Sequence, residues 1–179
     1  GKEIITTGAA YEQQMSKVQA VSGATRKQMG GLNDLAIELG AKTKFSAGEA
    51  AEGMYQLSSA GFGVGEMSTA IKGDLALAAA SGTDLADASE IASNALRGFQ
   101  LPAKESIHVA DVLTKSVNSS SVEMKDLQDT MKYIGPVAAA TGESFESVIA
   151  AVDVMGNAGI KGEQAGTSIP GGLLRLVKP

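Results

Sequence analysis

Apolar residues return every three or four positions along this chain, in short runs separated by glycine or by small polar residues. Met29, Leu32, Ala36 and Leu39 are spaced 3, 4 and 3; Met124, Leu127, Met131, Ile134 and Ala138 are spaced 3, 4, 3 and 4. That is the period of one face of a helix. The first predicted helix covers Thr7 to Val21, with Tyr11, Met15 and Val18 on one face. A second follows Thr25. A third follows Ser46, with Ala50, Met54, Leu57 and Gly61 in register. A fourth runs from Glu66 to Ala80 through Met67, Ile71, Leu75 and Ala78. A fifth runs from Asp84 to Gly98, and a sixth from Pro102 or Ala103 through Ile107, Ala110, Leu113 and Val117. The seventh carries Met124 to Ala138, and the eighth spans Ser144 to Asn157. Pro136 inside the seventh predicts a kink or break near Ile134-Gly135, because a mid-helix proline loses one hydrogen bond and crowds the preceding turn. The last segment, Gln164 to Val177, is interrupted by Pro170-Gly171-Gly172 and stays ambiguous. Its Leu173, Leu174, Leu176 and Val177 call for a partner helix.

The boundaries carry their own chemistry. Gly23, Gly40, Gly61, Gly82, Gly98, Gly142 and Gly159 each follow an Ala-rich apolar run, and glycine takes the left-handed conformation that ends a helix without a Cβ clash. Thr25 with Gln28, and Ser46 with Glu49, have capping-box spacing. The expected structural caps are therefore Thr25, Gly40, Ser46, Glu49, Gly61, Gly82, Gly142 and Gly159. The fold class that follows is all-α, a compact array of about eight to nine short helices arranged as consecutive helical hairpins. Thr43-Lys44-Phe45 and Thr83-Asp84-Leu85 open helices 40 residues apart, and Met124 comes 39 residues after Leu85. This echo leaves two outcomes open, a stacked solenoid-like array and a compact bundle.

Composition narrows the function more than it names it. The 179 residues fit one domain, or one and a small appendage. Seven aromatics and no Trp leave a core of Ala, Leu, Ile, Val and Met, which lets helix axes approach closely. The net charge of −5 comes without a basic stripe, so no specific nucleic-acid footprint is expected. Many acidic residues fall in expected first turns, where they complement the helix dipole. The absence of cysteine excludes disulfides, thiolate metal sites and Cys nucleophiles. No apolar stretch is long enough to cross a membrane, and no signal peptide is legible at Gly1-Lys2-Glu3-Ile4-Ile5. A start without Met and a stop at Pro179 read as a piece of something longer.

The search for chemistry yields little. The single histidine, His108, lies three residues from Asp111 and close to Ser106. The reading that fits best is a half-exposed helix residue beside an ordinary carboxylate. One histidine without cysteine makes no recognisable zinc site. Glu143 with Glu146, and Asp126 with Asp129, are neighbours on a helix and suit a first turn as well as an acid-base pair. Gly61-x-Gly63-x-Gly65 lacks both the final glycine and the preceding strand of a dinucleotide loop. No catalytic, cofactor-binding or metal-ligating residue is assigned.

Several strings, in order, do resemble a family. They are Ala20-Val21-Ser22-Gly23-Ala24-Thr25, Leu39-Gly40-Ala41-Lys42-Thr43-Lys44-Phe45-Ser46, Ala50-Ala51-Glu52, Ala60-Gly61-Phe62 and Ala79-Ala80-Ser81-Gly82-Thr83-Asp84-Leu85. Next come His108-Val109-Ala110-Asp111-Val112-Leu113, Tyr133-Ile134-Gly135-Pro136-Val137-Ala138, Asn157-Ala158-Gly159-Ile160-Lys161-Gly162 and Gln164-Ala165-Gly166-Thr167. Together they resemble the core region of phage tail tape-measure proteins. Ile169-Pro170-Gly171-Gly172 departs from the uninterrupted helix that the resemblance implies. The resemblance implies a non-enzymatic structural module of a phage or prophage tail, acting in tail assembly and tail-length determination. It implies tail tube and tail tip proteins, tail assembly chaperones and sister copies as partners, with homo-oligomers among the outcomes. It places the protein in the virion after assembly in the bacterial cytoplasm. It divides the chain into an N-terminal helix at 1–21 and a helical core domain at 22–179. Two other readings stand beside it: a helical muralytic domain with Glu143 as general acid, and a helical adaptor unrelated to phage.

Overall fold

The computed structural model describes residues 2–177, with side chains for 8–172 other than 136 and 139. Among the described residues the chain forms nine α-helices and one 3₁₀ turn, with no strand. The helices are α1 (Lys2–Ser22), α2 (Arg26–Lys42), α3 (Ala47–Ser59), α4 (Val64–Ser81) and α5 (Leu85–Gly98). The 3₁₀ turn Ala103–Glu105 leads into α6 (Ser106–Ser119), and α7 (Met124–Thr141), α8 (Phe145–Asn157) and α9 (Gly162–Val177) follow.

Each helix packs on the helix two before it. The odd helices α1, α3, α5, α7 and α9 form one row, and the even helices α2, α4, α6 and α8 form the other. Of the two outcomes left open by the sequence, this is the stacked one. The repeat shows in the bonds that tie neighbours within a row. Arg97 reaches Ala60 across 37 residues, Ser106 reaches Thr69 across 37, Gln128 reaches Glu90 across 38, and His108 meets Glu146 across 38. Between the rows lies one continuous apolar layer that includes Leu32, Met54, Leu57, Met67, Ile71, Leu77, Leu96, Leu113, Leu127 and Ile134, each at most 1% exposed. Burying a side chain of this size contributes about 1.5–3 kcal/mol.

The helix ends follow local chemistry. Thr25 caps α2, with its backbone N–H donating to Gln28 Oε1 at 2.9 Å and Gln28 N–H returning to Thr25 Oγ1 at 3.4 Å. Ser46 caps α3 in the same way with Glu49, at 2.7 and 3.2 Å. Gly61, Gly82, Gly142 and Gly159 have φ of 82°, 72°, 73° and 86°, the left-handed region in which a Cβ is strained.

Four expectations need correction. Gly40 does not stop α2, which continues to Lys42; the helix ends where Thr43 bonds back to Leu39 O through both N–H (3.0 Å) and Oγ1 (2.8 Å). Gly40 is instead a crossing point, since a Cβ there would lie 2.6 Å from the backbone nitrogen of Ala47. Gly98 is likewise a helical residue and not the left-handed stop. That conformation falls on Gln100 (φ 56°), whose N–H and that of Leu101 close the end of α5 onto Arg97 O and Leu96 O. α7 is not broken at Ile134-Gly135. Proline forfeits one bond at a cost of about 3 kcal/mol, and Ile134 and Ala138, both fully buried, hold the helix on either side. The segment around Pro170 is likewise one helix, α9, anchored on α7 through buried Ala165 and Ile169. The expected partner contacts of Leu173, Leu174, Leu176 and Val177 lie outside the described side chains.

Candidate interaction surface

The spacing between helices decides where polar groups gather. On the odd row, Gly98 of α5 meets Gly135 of α7 backbone to backbone; a Cβ on either would come within 2.7 Å of the other's Cα. On the even row, Gly73 of α4 receives the backbone of Ser106 at the start of α6, and no Cβ fits between them. The α6–α8 seam has no such glycine-on-backbone contact. It is spanned by two polar pairs, His108 Nε2 with Glu146 Oε1 at 2.5 Å and Ser116 Oγ donating to Asp153 Oδ1 at 2.5 Å. Between them lies a crevice of about 190 Å³ floored by Val112, Ile149 and Ala150.

The electrostatics of this seam oppose acid catalysis. The bond to His108 holds the Glu146 carboxyl below its usual range, and the same bond raises the His108 imidazole, helped by Glu105 and Asp111. A general acid needs the reverse shift. Ser106 is buried and turned toward Thr69 O (3.5 Å), so it does not join His108 and Asp111 in a triad. Glu143 is exposed in the turn after α7 and does not line the crevice beside Glu146. Asp126 accepts from the Glu123 N–H at 3.0 Å, and Asp129 lies 3.6 Å from Lys125 and 3.5 Å from Lys132. Among the described residues no group of three His, Asp or Glu side chains could hold a metal ion, and no helix is long and apolar enough to cross a membrane.

The glycine-rich turn Gly61-x-Gly63-x-Gly65 is occupied by the protein itself. Arg97 donates to Ala60 O (3.2 Å) and Gly61 O (2.7 Å), pairs with Glu66 at 3.3 Å and stacks 3.8 Å over the Phe62 ring. The Gly63 N–H, which a phosphate would need, donates to Glu66 at 2.9 Å. A groove of about 580 Å³ follows the Gly98–Gly135 crossing and is lined by Asn94, Arg97, Gln100, Met131 and Lys132.

The seams thus tie helices to one another, and comparison with known proteins gives this stack a lineage. A family model described as phage-related minor tail protein matches residues 33–179, from the middle of α2 to the end of the chain. This chain belongs to the phage-related minor tail protein family. The resemblance to tape-measure proteins read from the ordered strings is borne out. The chain is 47% identical over 175 residues, 98% of its length, to the tape measure protein of Pneumococcus phage Dp-1. It is 29% identical over its whole length to the probable tape measure protein of Escherichia phage P2. It is 27% identical over 79% of its length to that of Clostridium phage phiCD119. It spans only 15%, 22% and 15% of those three proteins. No solved structure matches it. For this minor tail protein module, sequence reasoning missed the His108–Glu146 bridge and the Arg97 staple, since each joins residues more than 30 apart. The 40-residue echo was the one signal that could have found them.

Proposed function

We propose that the chain is a non-enzymatic structural module of a tape-measure protein, working in tail assembly and tail-length determination through protein contacts. Residues 22–179 form the core module in this reading, and the helix through residue 21 leads into it. Tail tube and tip proteins, assembly chaperones and sister copies are the partners, in a virion assembled in the bacterial cytoplasm. The observation that carries the reading is the 47% identity to a tape measure protein over nearly the whole chain. The geometry supports it. The motifs that could have held a phosphate or an acid-base pair are engaged in helix ends and seams.

The direct test is an in-frame deletion of 22–179 in a phage that carries the module. Absent tails, or tails of altered length by electron microscopy, support the proposal. Normal tails of unchanged length overturn it. A zymogram of the purified chain tests the non-enzymatic part: intact peptidoglycan is expected, and clearing that vanishes in Glu143→Gln would restore the muralytic reading.

A further inference from the structure

Asp74 sits on the wrong side of its helix for a charged residue. It follows Ile71 by three positions and precedes Ala78 by four, so it shares the apolar face of α4, and it is 0% exposed. Among the described residues it is the one fully buried ionisable side chain. Neither carboxylate oxygen has a hydrogen-bond partner, and the buried hydroxyls of Ser89 and Ser58 are also unpartnered. Native interiors hold few such orphan groups, and each calls for a reason.

The surroundings are those of a three-helix junction. Gly53 of α3 faces Ser89 Oγ and Leu85 of α5 and Ile71 of α4, and a Cβ there would meet Ser89 Oγ at 2.8 Å. α4 also packs against α2, the 3₁₀ turn and α6. The ionisable groups of those elements lie at the surface or half-buried: Arg26, Lys27, Asp34, Glu38 and Lys42 on α2, Glu49, Glu52 and Tyr55 on α3, Asp87, Glu90 and Arg97 on α5, Lys104 and Glu105 on the turn, His108, Asp111 and Lys115 on α6, and Glu66 and Lys72 on α4 itself. None of them forms an ion pair or a hydrogen bond with the carboxyl. The only opposing influence on its burial is the Ser89 hydroxyl, which lies near without hydrogen-bond geometry.

We infer that the Asp74 carboxyl is a proton-linked latch of the α3–α4–α5 junction: the closed core holds it as the neutral acid, and release of its proton to solvent requires the junction to open. An unpaired charge in this apolar layer would be far more costly than the neutral acid. Burial pushes the group from 3.8 up to about 8. Between those values the folded chain carries a proton that the unfolded chain lacks. The contribution of Asp74 to stability therefore falls as pH rises through that window and levels off above it.

The test is a series of thermal melts of the chain from pH 5 to pH 9, for wild type, Asp74→Asn and Asp74→Leu. The wild-type midpoint should drop relative to both variants as pH rises, so the gap widens up to about pH 8. Hydrogen exchange in α3 to α5, corrected for intrinsic rates, should lose protection at pH 9 in wild type alone. A ¹³C carboxyl resonance of Asp74 at pH 6 should report the neutral acid. Parallel pH profiles for wild type and either folded variant overturn the inference, as does an ionised Asp74 in the closed chain at pH 6. If neither variant folds, the carboxyl is required for the junction to form, and that result overturns it too.

Discussion

Helix α6 has two neighbours in its row, and they hold it by opposite means. Toward α4 the contact is backbone on backbone, made possible by Gly73 against Ser106. Toward α8 the gap is wide enough for side chains, and His108–Glu146 and Ser116–Asp153 cross it beside an open crevice. The first seam carries no ion pair among the described residues and has no room for an added methyl group. The second is bridged by exposed side chains and responds to protons. The difference follows from one variable, side-chain size at the crossing. A glycine lets axes approach until dispersion contacts dominate, whereas larger residues separate the axes and leave room for water and charge.

The contrast can be broken most forcefully at its tight end. Gly73→Val drives a branched side chain into the Ser106 backbone, which cannot swing aside as a side-chain tip can. A loss of about 3 kcal/mol or more is expected, read as a large drop in thermal midpoint or as failure to fold. Gly61→Val tests a turn instead of a crossing. Open space surrounds Gly61, so the cost is conformational only, about 1–2 kcal/mol. Gln100→Gly runs the other way. Gln100 is exposed and held at φ 56°, and glycine there should stabilise by about 1 kcal/mol; a lower midpoint would deny the left-handed end of α5.

The smallest effect lies on the wide seam. The raised His108 contributes stability that is present at low pH and lost as pH rises through its folded value. The lowered Glu146 contributes stability that is present above its ordinary range and lost as pH falls. The pair is therefore strongest in the mildly acidic interval between them. Its exposure limits it to about 1 kcal/mol or less. An NMR titration should find His108 above 6.5 in wild type and shifted back toward 6.5 in Glu146→Gln. An unshifted titration would mean that the seam is not bridged in solution.

What could be read from the sequence was what is local. Helix faces and the Thr25 and Ser46 boxes are set within four residues, and the apolar period showed them directly. Gly40 and Gly98 misled because glycine serves two ends, a left-handed stop and a close crossing, and its local sequence does not distinguish them. The crossing partners, Ala47 and Gly135, are known only once the chain is folded. The break foreseen at Pro136, and the interruption at Pro170, misled for a related reason: local propensity predicts a break, and tertiary packing overrides it. Asp74 was legible after all, in register with Ile71 and Ala78 on an apolar face. The candidate interaction surface was mostly hidden, because its pairs are about 38 residues apart.

One measurement tests the central claim, that close crossings at glycine set the spacing of the stack. Gly31 lies inside α2 with nothing within 4 Å of a built Cβ, and Gly73 lies inside α4 against Ser106. The same methyl group should therefore act with opposite sign: Gly31→Ala raises the thermal midpoint through helix propensity, by about 1 kcal/mol, and Gly73→Ala lowers it. If both substitutions raise the midpoint equally, the helices do not meet where this account puts them.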